Sequence, residues 1–350
     1  MNIPGVLTLA IATAAASYWL TGYFRRYALS RRILDVPNAR SLHSCSIPRG
    51  GGMAIALTAL AGFVGLGLMG AMPWRDVFGL GGAGALVAAV GFADDHVHLR
   101  RRWRLLAHFA AAAAIVASVG SLPRLIVLEA PVDLGWAGIL VALLYVVWLV
   151  NLTNFMDGID GIAASEAITV SLGGSLLYVV SAWPAAAWSA PLLLAAASLG
   201  FLRWNWPPAR IFMGDVGSGF LGLMLAGLSL RAGAAAPELL WGWVILLGVF
   251  IVDATMTLGR RTLRGERIYE AHRTHAYQRA ALRVGHHRPV TIAVAAITVV
   301  WLLPIALLVA TGTVAGTIGV TIAYTPLVLG AWQLGAGAQA PGLPVGEAIV

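Results

Sequence analysis

Lysine is absent from this chain: all 23 basic residues are arginine, set against 15 acidic ones for a net charge of +8. Compositional bias in a GC-rich genome would explain the missing lysine, and the many alanines and glycines fit that. A guanidinium fork also suits phosphate, whose oxygens it grips in pairs. Cysteine is nearly absent too. Cys45 stands alone, which excludes an internal disulfide and any CxxC redox or zinc spacing. Charge is scarce as well. Only 11% of the 350 residues are charged, where a soluble domain carries roughly a quarter, and 59% are hydrophobic. The mean hydropathy is +0.82. A soluble domain, a long linker and a nucleic-acid-binding module are thereby excluded. No internal repeat is evident.

What is present is a succession of apolar segments. A spanning helix needs about 20 apolar residues. Candidate spans run roughly over 4–22, 50–72, 77–93, 105–122, 136–151, 162–182, 186–202, 212–231, 238–259, 290–310 and 313–333. The expected fold is therefore an all-α, polytopic integral membrane protein of about eleven spans. Its single domain covers 1–334 and a Gly-, Pro- and Ala-rich tail from Gly335 is expected to be disordered. The first span lacks a preceding basic residue, so it does not read as a signal peptide. Loops near 23–49, 94–104, 152–161, 203–211 and 260–289 hold twenty of the 23 arginines, all but Arg75, Arg124 and Arg231. By the positive-inside rule these loops are cytoplasmic, with the N-terminus outside and the C-terminus inside. The longest outer connection, 124–135, could form a small periplasmic β-hairpin.

The polar residues converge on that inner face. Asn151-Leu-Thr-Asn-Phe-Met-Asp-Gly-Ile-Asp-Gly161 is wedged between two apolar runs. Asp157 and Asp160 would share a face if the stretch were helical, and Gly158 and Gly161 would let a ligand approach closely. Asp94 and Asp95 end the third span, and Asn205 and Asp215 flank the start of the eighth. His272 and His275 lie in the largest loop, and Asp253 lies near the inner end of the ninth span. Each fragment also has a plain structural reading. The 151–161 stretch and Asp215 could be helix caps. Asp94 and Asp95 could pair with the arginines at 100–104, Asp253 could pair with a neighbouring arginine, and the histidines could be solvated. Of the histidines, His96, His98, His286 and His287 carry no functional signal. Taken together, five aspartates at one membrane face would repel one another unless a cation or a paired charge relieved them. Mg²⁺ takes one or two carboxylates plus substrate phosphates. The set reads as metal-assisted chemistry on a phosphate-bearing substrate.

These motifs resemble the polyprenyl-phosphate N-acetylhexosamine-1-phosphate transferases. The matching stretches are Asp35-Val-Pro-Asn-Ala-Arg-Ser-Leu-His43, Pro48-Arg-Gly-Gly-Gly52, Asp94-Asp95, Asn154-Phe-Met-Asp-Gly-Ile-Asp-Gly161, Asn205, Phe212-Met-Gly-Asp-Val-Gly-Ser218 and His272-Arg-Thr-His275. They cover roughly 35–280. The resemblance implies transfer of a sugar 1-phosphate from a UDP-N-acetylhexosamine to undecaprenyl phosphate, releasing UMP, in the bacterial inner membrane. It implies Mg²⁺ (Mn²⁺ could substitute) on Asp215, with Asp94 and Asp95 serving the lipid phosphate or the metal. It implies Asn154, Asp157, Asp160, His272, His275 and Arg49 on the nucleotide sugar and its phosphates, and Asn205 on the uridine side. A homodimer is plausible by the same resemblance.

Two departures point within the family. The branch that transfers phospho-MurNAc-pentapeptide carries a lysine near the second span and a run of histidines in the last large loop. Here Pro-Arg-Gly-Gly-Gly and His-Arg-Thr-His stand instead. That is closer to the branch that starts O-antigen or related envelope glycans, with UDP-GlcNAc or a 6-deoxy relative as donor. A secondary transporter is the alternative from another class, but transporter sites lie near the midplane, where charge is nearly absent here. The Asp-Gly-x-x-Ala-Arg signature of a CDP-alcohol phosphotransferase is not found.

Overall fold

The computed structural model describes residues 2–37, 42, 45–97, 99–119, 125–127, 130–181, 187–266 and 272–338. Asn38 to Ser41 and His43 of the first motif, His98, Arg124 and the tail beyond Ala338 lie outside them. The chain begins with α1 (Ile3–Arg31), then a two-residue antiparallel ladder of β1 (Leu34–Asp35) and β2 (Ile47–Pro48). Next come α2 (Gly52–Leu68), α3 (Trp74–Val97) and α4 (Arg101–Val119). Strands β3 (Leu125–Val127) and β4 (Ala130–Val132) pair antiparallel before α5 (Gly135–Met156). Then follow α6 (Ile162–Val180), α7 (Ser189–Asn205), α8 (Gly214–Ala235), α9 (Pro237–Leu246), α10 (Gly248–Leu263), α11 (Ala276–Val284), α12 (His287–Ala296), α13 (Leu303–Ala310) and α14 (Gly316–Leu334).

Every predicted span is helical, so this is an all-α, multi-pass membrane protein. Length and composition alone do not reach eleven. Among the described residues, eight helices are long and apolar enough to cross a membrane, or nine if the bent pair α9 and α10 is one span. Helices α2 and α7 have only 17 residues each, about 25 Å at 1.5 Å per residue, short of the hydrocarbon thickness of about 30 Å. The break between α9 and α10 bends the chain by 68°. There the Tyr324 hydroxyl donates to the Val244 carbonyl at 2.6 Å, a side chain inserted into the helix ladder. Between α12 and α13 the chain passes through a π-helical turn, Ile297–Leu302. Pro304 follows it and supplies no amide to the preceding turn.

Nearly all of α8 is buried, whereas α1 and α14 turn most of their surface outward. The bundle is organised around α8 because its sequence allows close approach. A Cβ on Gly52 would lie 2.2 Å from the Gly217 Cα, so α2 and α8 cross backbone to backbone. Exposed Leu, Ile, Val and Trp side chains on α1, α5 and α14 suit a lipid-facing rim.

The expected tail needs a correction at its start. Gly335 to Ala338 are not free: the Gly337 amide donates to the Thr274 carbonyl at 2.7 Å, and Ala336 is fully buried. Glycine-rich composition misleads here, because the glycines serve tight turns of positive φ at Gly335 and Gly337.

Candidate active site

The site is assembled from loops at one end of the bundle. The segment before α2 and the segment before α8 run side by side. The Phe212 amide donates to the Pro48 carbonyl at 2.8 Å, the Gly51 amide to Phe212 at 3.0 Å, and the Gly52 amide to Met213 at 2.9 Å. The Pro-Arg-Gly-Gly-Gly and Phe-Met-Gly-Asp-Val-Gly-Ser motifs are therefore zipped together. Gly214 makes the turn into α8 with φ +75°, and a Cβ there would sit 2.5 Å from the Asp95 carboxylate. Asp95 caps α8: its oxygens accept from the Asp215 amide at 3.3 Å and the Val216 amide at 3.5 Å, and Arg49 pairs with it at 3.0 Å. The cap of α8 is thus Asp95, from α3, and not Asp215.

Asp94 points to a different neighbour. Its oxygens accept from the Leu99 amide at 2.6 Å and from Arg104 at 2.7 Å. The same guanidinium nitrogen lies 3.0 Å from Asp215. Arg104 thus neutralises two carboxylates at once, as the pairing of Asp94 with the 100–104 arginines anticipated. Asn154 completes this cluster. In the orientation that satisfies both ends of its amide, it donates to Asp215 at 3.2 Å and accepts from Arg104 at 3.3 Å.

Asp157 and Asp160 do not share a helical face. α5 continues to Met156, Asp157 is its C-cap, and the chain turns through Gly158 to Gly161, whose φ is +76°. The glycines end the helix where helical spacing was expected to continue. Gly161 precedes α6 without any side-chain cap, so the capping reading of these aspartates fails as well. Asp160 is held from three sides. It accepts from the Ala209 amide at 2.9 Å, lies 3.2 Å from His287 Nδ1, and its carbonyl accepts from the Thr291 hydroxyl at 2.8 Å. Asn205 braces the same turn: its Oδ1 accepts from the Gly161 amide and its Nδ2 donates to the Ile211 carbonyl, both at 2.9 Å. Its amide is thus spent on the backbone. The Asp157 carboxylate has no hydrogen bond or ion pair among the described residues. Burial, and then the charges of Asp215, Asp160 and Asp95, push its pKa well above the ordinary value.

Most of these groups, though not Asp94 or Arg104, line a cleft of about 260 Å³. Asp95, Asp157 and Asp215 stand on its walls with Arg49, and Asn205, Gln278 and His287 also border it. His287 was passed over in the sequence because its partner is 127 residues away. No local signal finds it.

The two loop histidines stand behind the cleft wall. His275 is buried and begins α11 in a capping box with Gln278. Its Nδ1 lies 3.2 Å from Asp253 Oδ1, and the Ala276 and Tyr277 amides each donate to Asp253 at 2.9 Å. Asp253 therefore anchors α11, and its partner is a histidine, not the arginine expected. His272 stacks on His275 at 4.9 Å, and burial, with His275 and Arg261 adding to it, pushes its pKa down to about 3. Two further ionisable groups sit inside spans and escaped sequence reading. Glu166 of α6 is fully buried and accepts from the Thr298 hydroxyl at 3.3 Å. His108 of α4 is buried beside Arg104, with no partner for Nδ1 among the described residues.

Chemically, the arrangement offers carboxylate oxygens for a hard cation, two guanidiniums for phosphates, and an unpartnered acid. Among the described residues no three His, Cys, Asp or Glu side chains form a ready metal cage. One or two carboxylates are what Mg²⁺ takes beside substrate phosphates, so the donor set fits that ion.

Comparison with known proteins gives the family. Residues 77–233 match the family model described as glycosyl transferase family 4. The probable undecaprenyl-phosphate N-acetylglucosaminyl 1-phosphate transferase of Bacillus subtilis (strain 168) is 29% identical, over 78% of this chain and 76% of that protein. The decaprenyl-phosphate N-acetylglucosaminephosphotransferase of Mycobacterium tuberculosis (strain CDC 1551 / Oshkosh) is 28% identical, over 81% and 78%. A phospho-N-acetylmuramoyl-pentapeptide-transferase of Kocuria rhizophila is 30% identical, over 59% and 66%. With a multi-pass helical fold and several of its motifs about one cleft, the chain belongs to the polyprenyl-phosphate N-acetylhexosamine-1-phosphate transferases, a family of phosphoglycosyl transferases.

Proposed function

We propose that this enzyme transfers N-acetylglucosamine 1-phosphate from UDP-GlcNAc to undecaprenyl phosphate, releasing UMP, as the first step of an O-antigen or related envelope glycan. The cleft faces the cytoplasm of a bacterial inner membrane. The carrying observation is the convergence of Asp157, Asp215 and Arg49 on one cleft, with Arg104 paired to Asp215 beside it. Support for this donor comes from the relatives that match over three quarters of their length and are named for N-acetylglucosamine. The His-Arg-Thr-His loop and the missing lysine argue against a peptide-bearing donor.

The acceptor phosphate has a second pKa of about 6 and is mostly a dianion at neutral pH, so it needs little help from a base. Asp94 is already engaged by Arg104 and the Leu99 amide, which suits a role in aiming Arg104. Arg49 and Arg104 draw the two anions together and screen their repulsion. An oxygen of the lipid phosphate attacks the phosphorus that bears the sugar. A new P–O bond forms, the bond to the bridging oxygen breaks, and the electron pair leaves on UMP. Asp215, with Asp157 beside it, would hold Mg²⁺, which would supply charge neutralisation and Lewis acidity at the donor diphosphate. The rival two-step route through a phosphorylated aspartate requires UMP exchange into the donor without lipid.

The test is UMP release by purified protein with undecaprenyl phosphate, a panel of UDP-N-acetylhexosamines and UDP-MurNAc-pentapeptide. UMP from UDP-GlcNAc that depends on lipid and Mg²⁺, and is lost in Asp215→Asn by about a hundredfold or more, is the expected result. Turnover of the pentapeptide donor alone would overturn the choice of donor. Lipid-independent release, or full activity in EDTA, would overturn the mechanism.

A further inference from the structure

The segment after α14, residues 335–338, is built into the histidine loop. α14 stops at Leu334, and Gly335 and Gly337, at φ +79° and +68°, turn the backbone under α10 and α11. The Gly335 and Ala336 amides take up the Trp332 and Ala331 carbonyls of the last helical turn, and arginines collect the carbonyls that follow. Arg260 donates to Ala336 at 2.9 Å and Arg283 to Leu334 at 3.5 Å. Arg264 donates to Gly337 and Arg279 to Ala338. Ala336 packs with Val252, Ala276 and Ala331. The Gly337 amide reaches Thr274, in the histidine loop itself. At Gly337 a Cβ would lie 2.7 Å from the Thr257 carbonyl oxygen, so no other residue fits without displacing α10 or the loop.

From Thr274 the contacts continue to the cleft. The next residue, His275, caps α11. Tyr277, in the first turn of that helix, donates its hydroxyl to the Phe155 carbonyl at 2.9 Å. At Gly158 a Cβ would meet Tyr277 Oη at 2.2 Å and Gln278 Nε2 at 3.1 Å. The turn that carries Asp157 therefore rests directly on the first turn of α11, and Gln278 borders the cleft.

We propose that residues 335–338 are a positioning element of the active site. By bonding Thr274 they hold α11, and through Tyr277 and Gln278 they hold the Asp157 turn in the shape that receives the donor. This rests on the reading of the cleft as the nucleotide-sugar site. A merely structural segment would change stability without favouring donor binding over turnover.

The test uses the full chain carrying Gly337→Ala, with a chain ending at Ala338 as control. Amide hydrogen exchange over 272–284 is measured together with the KM for donor and for lipid. Faster exchange in that segment and a donor KM raised about tenfold or more, with kcat and lipid KM nearly unchanged, is expected for Gly337→Ala. The control should behave as wild type. Unchanged exchange, an unchanged donor KM, or the same defect in the control overturns the proposal. If Gly337→Ala does not fold, Arg260→Gln removes one strap without a backbone clash and is read in the same way. Should the wild type release no UMP, the cleft reading fails, and unchanged exchange in Gly337→Ala would still overturn the strut by itself.

Discussion

Asp157 is the residue whose environment departs furthest from what its neighbours in sequence suggest. It sits among Asp215, Asp160 and Asp95 with no cationic side chain in contact among the described residues, and burial with those charges raises its pKa from 3.8. Between 3.8 and the folded value, the native state holds a proton that the unfolded chain has released. Its contribution to stability is therefore complete below the unfolded pKa and is lost as pH rises through the folded one. Asp157→Asn removes that loss. In detergent without divalent cation or nucleotide, the variant should melt above wild type near pH 7, and the gap should close toward about pH 4. UMP release should fall severely in the same variant. Equal midpoints at pH 7 would mean the acid is relieved in some other way. The presence of these carboxylates was legible because acids at span ends are costly and conspicuous. Their division of labour was not. Asp94 and Asp95 are adjacent in sequence, yet one holds Arg104 and the other caps α8, a split that depends on which helix each happens to face.

At the scale of elements, the crossing of α2 and α8 decides where the cleft can be. The two backbones touch at Gly52 and Gly217, and that contact lets the adjoining loops zip together over Pro48, Phe212 and Met213. Gly52→Val should lower stability by ~1–3 kcal/mol through overpacking. The loss should appear as a lower thermal midpoint together with weaker donor binding, because the same displacement opens the ladder beside Arg49. A midpoint within experimental scatter of wild type would mean the helices do not meet so closely. The glycines themselves announced close packing, but not the partner. Similarly, the 151–161 stretch was readable as an apolar run ending in polar residues. Its turn at 158–161 was hidden because i, i+3 spacing of aspartates fits a helix as well as a loop. The two glycines, one at φ +76°, decide for the loop.

For the molecule as a whole, the arginine-bearing loops and the cleft lie at one end. Arg231, toward the far end of α8, pairs with Asp76, and Arg75, at the start of α3, donates to the Ala117 carbonyl. Cys45 is exposed on the loop after α1 and is the chain's single thiol, so it reports the orientation without any substitution. A membrane-impermeant maleimide should label it in inverted vesicles and leave it unlabelled in intact spheroplasts, as the distribution of arginine requires. Labelling from the outside would reverse the topology and put the cleft on the wrong side for a cytoplasmic nucleotide sugar.

By itself the sequence determined the medium, the helical class and the chemical types at the site. Twenty-residue apolar runs permit little else in a bilayer, and clustered aspartates at their ends demand compensation. The tertiary structure alone decided which carboxylate is left unpartnered among the described residues, that His287 and Asp253 belong to the site's framework, and that the turn after α14 supports a loop some sixty residues earlier. Those are contacts between segments far apart along the chain. Their partners are set by the packing of α8 and its neighbours, and neither periodicity nor composition records such distances.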